Sequence, residues 1–308
     1  MSSTVTPTTT SARSISKADE TRNERNKTLA ATVGKNKGVL AVGIIALVIA
    51  AALWLVPLFW AILTSLKKES DASNADFAIL PREGLTLESY RAVIAAGDVP
   101  IWMMNSFLVS VAVTVLTVAI SALAAYGFSR TTFRGRGWLY AVTIASIMVP
   151  GQILIVPLFQ QMNALRLIDT YPGIILPQIV APMMVFILKN FFDTVPIELE
   201  EAARLDGASR FRTFMTIVLP LSRPILIAVS IFVFIGAWNN FLWPFIVINN
   251  PDLLTLPVGL ATIRNAFGVQ YAQTMASAIL AALPLLIVFM IFQRQIVKGF
   301  ATSGLGGQ

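Results

Sequence analysis

The chain has 308 residues, 56% of them hydrophobic and 13% charged, with a mean hydropathy of +0.73. A soluble domain carries about twice that share of charge, so the composition is that of an integral membrane protein. The chain has no Cys, no His and no G-x-x-x-x-G-K-[ST] loop, which excludes disulfides, thiolate metal sites, the usual proton-relay side chain and a phosphate-loop ATPase.

Residues 1–37 are rich in Thr, Ser, Asn, Lys and Arg without hydrophobic periodicity and read as a disordered tail. The apolar run 39–63 is 25 residues long, too long for a signal-peptide core, and is expected to be an uncleaved membrane helix. Five more runs follow at about 105–129, 138–161, 171–192, 224–248 and 273–293. Each is near or above the ~20 residues that cross a ~30 Å hydrocarbon layer. The expected architecture is all-α, with six transmembrane helices in one membrane domain over 38–296 and a short tail over 297–308. Pro150, Pro157, Pro172, Pro177 and Pro182 interrupt the third and fourth runs. Broken helices need neighbours to satisfy their freed carbonyls, which predicts that these two runs lie inside the bundle. The segment 249–272 is apolar for a tether and is expected to pack on something outside the membrane or dip back into the bundle.

With the N-terminus inside, 17 Lys and Arg fall on inner segments and 6 on outer ones; without the tail the ratio is 10 to 6. The positive-inside rule then puts both termini, and the charged stretch between the fourth and fifth runs, in the cytoplasm. The net charge of +7 is thus spent on orientation rather than on nucleic acid.

No Asp, Glu, His, Lys or Arg occupies the middle of a run, so coupling to an ion gradient lacks its usual side chains. Uphill movement of a solute would draw on another subunit. The polar groups at depth are amides: Gln152 after Pro150-Gly151, Gln178 after Pro177, and Asn239 and Asn240 after Trp238. Amides beside an aromatic face suit a neutral polyhydroxylated solute. Interhelical hydrogen bonding, worth about 0.6 kcal/mol each, is the other use open to them.

The charged stretch from Glu198 to Pro220 reads as a helix, a turn and a second helix. Asp193 or Thr194 can cap it, Pro196 suits its first turn, and Glu198, Glu200 and Glu201 sit where the helix dipole favours anions. Glu200 and Arg204 are spaced i,i+4, and Gly207 can end the helix in a left-handed conformation. Phe211, Phe214, Met215 and Val218 predict one apolar face on the second helix. An acidic helix is poorly suited to an anionic leaflet, which favours a protein partner.

Glu201-Ala202-Ala203-x3-Gly207-x9-Ile217-x-Leu219-Pro220 matches in full the cytoplasmic loop signature of binding-protein-dependent ABC importer permeases. Trp238-Asn239-Asn240-Phe241-Leu242-Trp243-Pro244 resembles the fifth-span segment of carbohydrate-uptake permeases of the maltose-transporter type. Tyr126-Gly127-Phe128-Ser129-Arg130 and the stretch from Gln293 to Phe300 are similar to theirs. The likeness runs from about Val39 to the C-terminus and resembles the smaller, second permease subunit of a pair.

The resemblance implies a type I ABC importer permease fold in the cell membrane, importing a di- or oligosaccharide. It implies that helices over 196–218 dock on a dimer of cytoplasmic ATP-binding subunits. Glu201 would pair with a basic residue of that ATPase, Gly207 would shape the turn, and Ala202, Ala203, Arg204, Asp206, Phe211, Leu219 and Pro220 would complete the coupling segment. It implies no catalytic residue, metal or cofactor on this chain, with ATP and Mg bound by the partner. The further partners it implies are a second homologous permease and an extracytoplasmic solute-binding protein that contacts 249–272. Gln152, Gln178, Trp238, Asn239 and Asn240 are the candidates for the solute path, although in maltose-type systems the partner permease can hold the sugar. Permeation of another solute (glycerol phosphate, a polyamine or an amino acid) and a self-sufficient secondary transporter are the alternatives.

Overall fold

The computed structural model describes residues 37–73, 81–96, 98–262 and 270–305, with side chains described from 38 to 293. Most of the N-terminal tail therefore lies outside the described residues. The described chain divides into two units, the first ending at Trp60 and the second beginning at Ala61. The first unit carries most of α1 (Lys37–Ser65), a 29-residue helix with Pro57 inside it. Its sequence is apolar on every side, which is the pattern of a membrane span rather than of a surface helix.

The second unit begins with the short α2 (Glu69–Ala72) and α3 (Glu88–Ala95), then α4 (Asp98–Arg130). One face of α4 is buried along Asn105, Ser106, Val109, Ser110, Val113, Thr117, Ser121, Ala122 and Ala125. These residues are mostly small, which lets neighbouring backbones approach closely. The chain goes on through α5 (Arg136–Ile147), a 3-10 turn over Gly151–Leu154 and α6 (Ile155–Ala164). α7 (Tyr171–Ile175) leads through a second 3-10 turn, Leu176–Gln178, to α8 (Pro182–Thr194). The charged stretch contains α9 (Ile197–Leu205), α10 (Arg210–Thr213), a π turn at Phe214–Val218 and α11 (Leu219–Leu221). α12 (Arg223–Trp238), α13 (Leu242–Val247), a 3-10 turn at Pro251–Leu253, α14 (Leu256–Thr262) and α15 (Tyr271–Leu305) complete the described chain.

Every regular element among the described residues is helical. Three helices are long and apolar enough to cross a bilayer, and three bent pairs meet the same test jointly. The bends are 96° between 136–147 and 151–164, 49° between 171–178 and 182–194, and 80° between 210–221 and 223–238. α4 packs along α8 and α12, and α12 packs on α15.

Two expectations are corrected, for the third run and the fifth. α5 has no buried residue, so the first half of the third run lies at the edge of the bundle with Trp138 and Met148 bare, while Leu158 and Phe159 of its second half pack on the core. The fourth run does go in, burying Ile174, Leu188 and Phe192. The run over 224–248 is not one helix: α12 stops at Trp238, and Asn239 and Asn240 form a break before α13. At the C-terminus α15 runs through to Leu305.

The segment after α13 dips back into the bundle. Asn105 Nδ2 donates to the carbonyls of Asp252 (2.8 Å) and Leu254 (2.9 Å), and Ser106 Oγ accepts from Leu256 N at 2.8 Å. Leu256 and Val258 are buried, and Gly259 lies flat on the ring of Trp102. Residues 263–269 lie outside the described residues. Glu69 of α2 caps α15, accepting from Tyr271 N (2.5 Å) and Ala272 N (3.1 Å), where the helix dipole favours an anion.

Candidate functional site: the charged hairpin and its anchor

α9 begins at Pro196, whose missing N–H costs nothing at that position, and Glu198 and Glu200 occupy the first turn. No side chain caps it. Asp193 instead accepts from Ser129 Oγ (2.6 Å) and pairs with Lys189 (2.6 Å), while Thr194 Oγ1 donates to Phe191 O. The helix ends as its sequence predicts. Gly207 has φ +83°, its N–H bonds Arg204 O (3.0 Å), and Ala208 N bonds Ala203 O (2.9 Å). That pair of bonds is a Schellman closure. Nothing lies within 4 Å of a Cβ built on Gly207, so the glycine serves the dihedral, not the space.

Ser209 restarts the chain by accepting from Arg212 N at 3.3 Å. The π turn then adds one residue and offsets the helix face by roughly 100°. Phe214 and Val218 are consequently buried beside Tyr126, Leu188 and Phe192, whereas Phe211 and Met215 are exposed. The single apolar face expected of this helix is therefore divided between core and surface. The outward part carries Leu205, 89% exposed, and Phe211, 61% exposed, with Glu201 and Asp206 also exposed.

Glu200 faces the other way and is fully buried. Its Oε1 lies 2.8 Å from Arg130 Nε at the end of α4. That N–H is directed off the line of contact, so the attraction is ionic rather than a linear hydrogen bond. Tyr126 Oη donates to Glu200 Oε2 at 3.2 Å and to Arg210 O at 3.3 Å. Arg130 Nη2 also donates to Phe192 O (2.5 Å) and to Val195 O, two carbonyls at the end of α8. The i,i+4 pair with Arg204 is present but long, at 3.8 Å.

A family model described as binding-protein-dependent transport system inner membrane component matches residues 117–302, which takes in the C-terminal part of α4, this hairpin and most of α15. The chain belongs to that family. The permease is 36% identical over 253 residues to the arabinooligosaccharides transport system permease protein AraQ of Halalkalibacterium halodurans, covering 82% of this chain and 91% of the relative. It is 33% identical over 270 residues to the trehalose/maltose transport system permease protein MalG of Thermococcus litoralis, covering 86% and 96%. In fold it is similar to a chain of a crystallised bacterial ABC transporter that imports the acidic polysaccharide alginate. The TM-score is 0.73 at 20% identity, over 84% of this chain and 98% of that one.

The solute-path candidates of the permease are only partly brought together. Asn240 Nδ2 donates to Gln178 Oε1 at 2.7 Å, and Gln178 Nε2 donates to Ile174 O at 2.8 Å. Asn239 is exposed and donates to Ile235 O at 3.0 Å; Gln152 is exposed on the turn after Pro150. Trp238 is not open to a path here: it is 3% exposed, stacked on Phe234 in the core beside Trp102 and Leu256. Tyr126, Ser129 and Arg130 went unassigned in sequence except as a likeness. Their i, i+3, i+4 spacing at a helix end is the signal that they share a face.

Proposed function

We propose that this chain is a transmembrane subunit of an ATP-driven ABC sugar importer. It has six spans and both termini in the cytoplasm, and its hairpin over 196–218 couples it to a dimer of ATP-binding subunits. A second homologous permease completes the pathway, an extracytoplasmic binding protein delivers the solute, and ATP and Mg bind the ATPase, leaving this chain without a cofactor. The carrying observation is the hairpin itself: Leu205, Phe211 and Glu201 face outward from a helix closed at Gly207 and seated on the bundle through Glu200. Orientation rests on the Lys and Arg excess of 17 against 6 on the hairpin's side. Sugar as substrate rests on relatives named for arabinooligosaccharide, trehalose/maltose and lactose transport. Paired amides and the absence of charge from the middle of the runs suit a neutral di- or oligosaccharide.

The test is to purify the chain with its ATPase and partner permease and to screen a sugar panel for binding-protein-dependent stimulation of ATP hydrolysis. One or more di- or oligosaccharides should stimulate. Glu201→Lys should reach the membrane and abolish uptake. Sugar flux through the isolated chain without an ATPase, or a competent complex that ignores every sugar, would overturn the reading.

A further inference from the structure

Resting on the coupling reading above, we propose that Tyr126, Ser129 and Arg130 are positioning residues that lock α4 and the hairpin into one moving body. In this role Glu200 faces the membrane bundle while its neighbour Glu201 faces the partner. Three side chains on one turn at the end of α4 each seize a different piece. Tyr126 holds Glu200 and the carbonyl of Arg210, so it touches both helices of the hairpin. Ser129 holds Asp193, which Lys189 also pairs at the end of α8. Arg130 holds Glu200 through Nε and the carbonyls of Phe192 and Val195 through Nη2.

Packing alone would seat the hairpin, since Phe214 and Val218 already enter the core. Apolar packing is non-directional, however, and lets one element slide on another. Arg130 Nη2 fixes distance and angle at the end of α8, because guanidinium donors point in set directions, while Nε holds the buried Glu200 carboxylate by charge. Glu200 is fully buried and the Arg130 side chain is 8% exposed, so the link is shielded from salt and water. A force on Leu205 or Phe211 is thereby delivered to α4 and α8 together, not dissipated in a shift of the hairpin.

The experiment uses the complete importer in proteoliposomes, with ATP hydrolysis and solute uptake measured on the same preparation. Arg130→Lys keeps the charge and loses the fork, Glu200→Gln keeps the shape and loses the charge, and Tyr126→Phe removes one hydroxyl. The ATPase should co-purify undiminished and hydrolysis should stay within about twofold. Solute moved per ATP should fall about tenfold for the first two variants, within the usual span of coupling effects, and by a smaller factor of about three for the third. A second arm exploits the absence of Cys from the chain. Arg130→Cys with Glu200→Cys, which replaces the α4–hairpin contact itself, should lose uptake per ATP when left open and return toward the unsubstituted level when joined by a short thiol crosslinker.

The proposal is overturned if the variants assemble and keep full uptake per ATP, or if uptake and hydrolysis fall together in proportion to the complex recovered. It is overturned as well if the crosslink fails to rescue. If instead the unsubstituted chain recruits no ATPase, the coupling reading itself has failed.

Discussion

Glu200 and Glu201 are adjacent in the chain and opposite in environment: one is fully buried against Arg130, the other is exposed on the outer side of α9. Removing one member of a buried ion pair strands the other. Glu200→Ala should therefore destabilise the fold by about 3–5 kcal/mol, whereas an exposed carboxylate costs little to remove. Thermal unfolding of the purified complex should show a large loss for Glu200→Ala and almost none for Glu201→Ala. Uptake should be lost in both, and equal melting curves would contradict the burial.

Gly207 stands at φ +83° with open space around it. A Cβ in that conformation costs roughly 1–2 kcal/mol, and Asn tolerates it better than Ala. Gly207→Ala should cut uptake while Gly207→Asn retains more of it. The reverse order in a transport assay would mean that the dihedral is not what the position requires.

On the other side of the bundle, Asp169 accepts from the backbone of Asn249 and of Asn250. Those hydrogen bonds hold its carboxyl below the ordinary aspartate value, the Asn249 bond foremost. The resulting stabilisation is complete above the ordinary value and is lost as pH falls through the lowered one. Amide exchange at 249 and 250, corrected for its intrinsic pH dependence, should lose protection on acidification. Asp169→Asn, which suits the residue's own φ of +56°, should remove that dependence.

The Gln178–Asn240 bond of 2.7 Å ties the turn before α8 to the break after α12. Measured interhelical bonds of this kind average about 0.6 kcal/mol. Gln178→Leu and Asn240→Leu should each destabilise modestly, and the double variant by less than their sum. Strict additivity in a double-mutant cycle on thermal stability would show that the two amides act separately.

Much of this was legible in the residues, and the rest failed for definable reasons. Hydropathy located the apolar runs, and Gly207 marked a helix end because so few residues accept a positive φ. The π turn was not legible, because a seven-residue pattern presumes an unbroken period; Phe214 and Val218 leave the face of Phe211 and Met215 only once an extra residue is inserted. The exposure of α5 escaped for another reason: prolines report strained carbonyls, not which neighbour relieves them. Arg130 was hidden by its usefulness elsewhere, since a basic residue at the end of an apolar run already counts toward orientation.

α4 has one further consequence. Asn105, near its beginning, holds the carbonyls of Asp252 and Leu254, and Arg130, at its end, holds Glu200. At 1.5 Å per residue these grips are roughly 38 Å apart along one helix, more than the ~30 Å hydrocarbon thickness. A single strut thus has a hand on a loop at either end. Tilting it by a few degrees shifts both loops at once and in opposite directions, so news of one end needs no relay to reach the other.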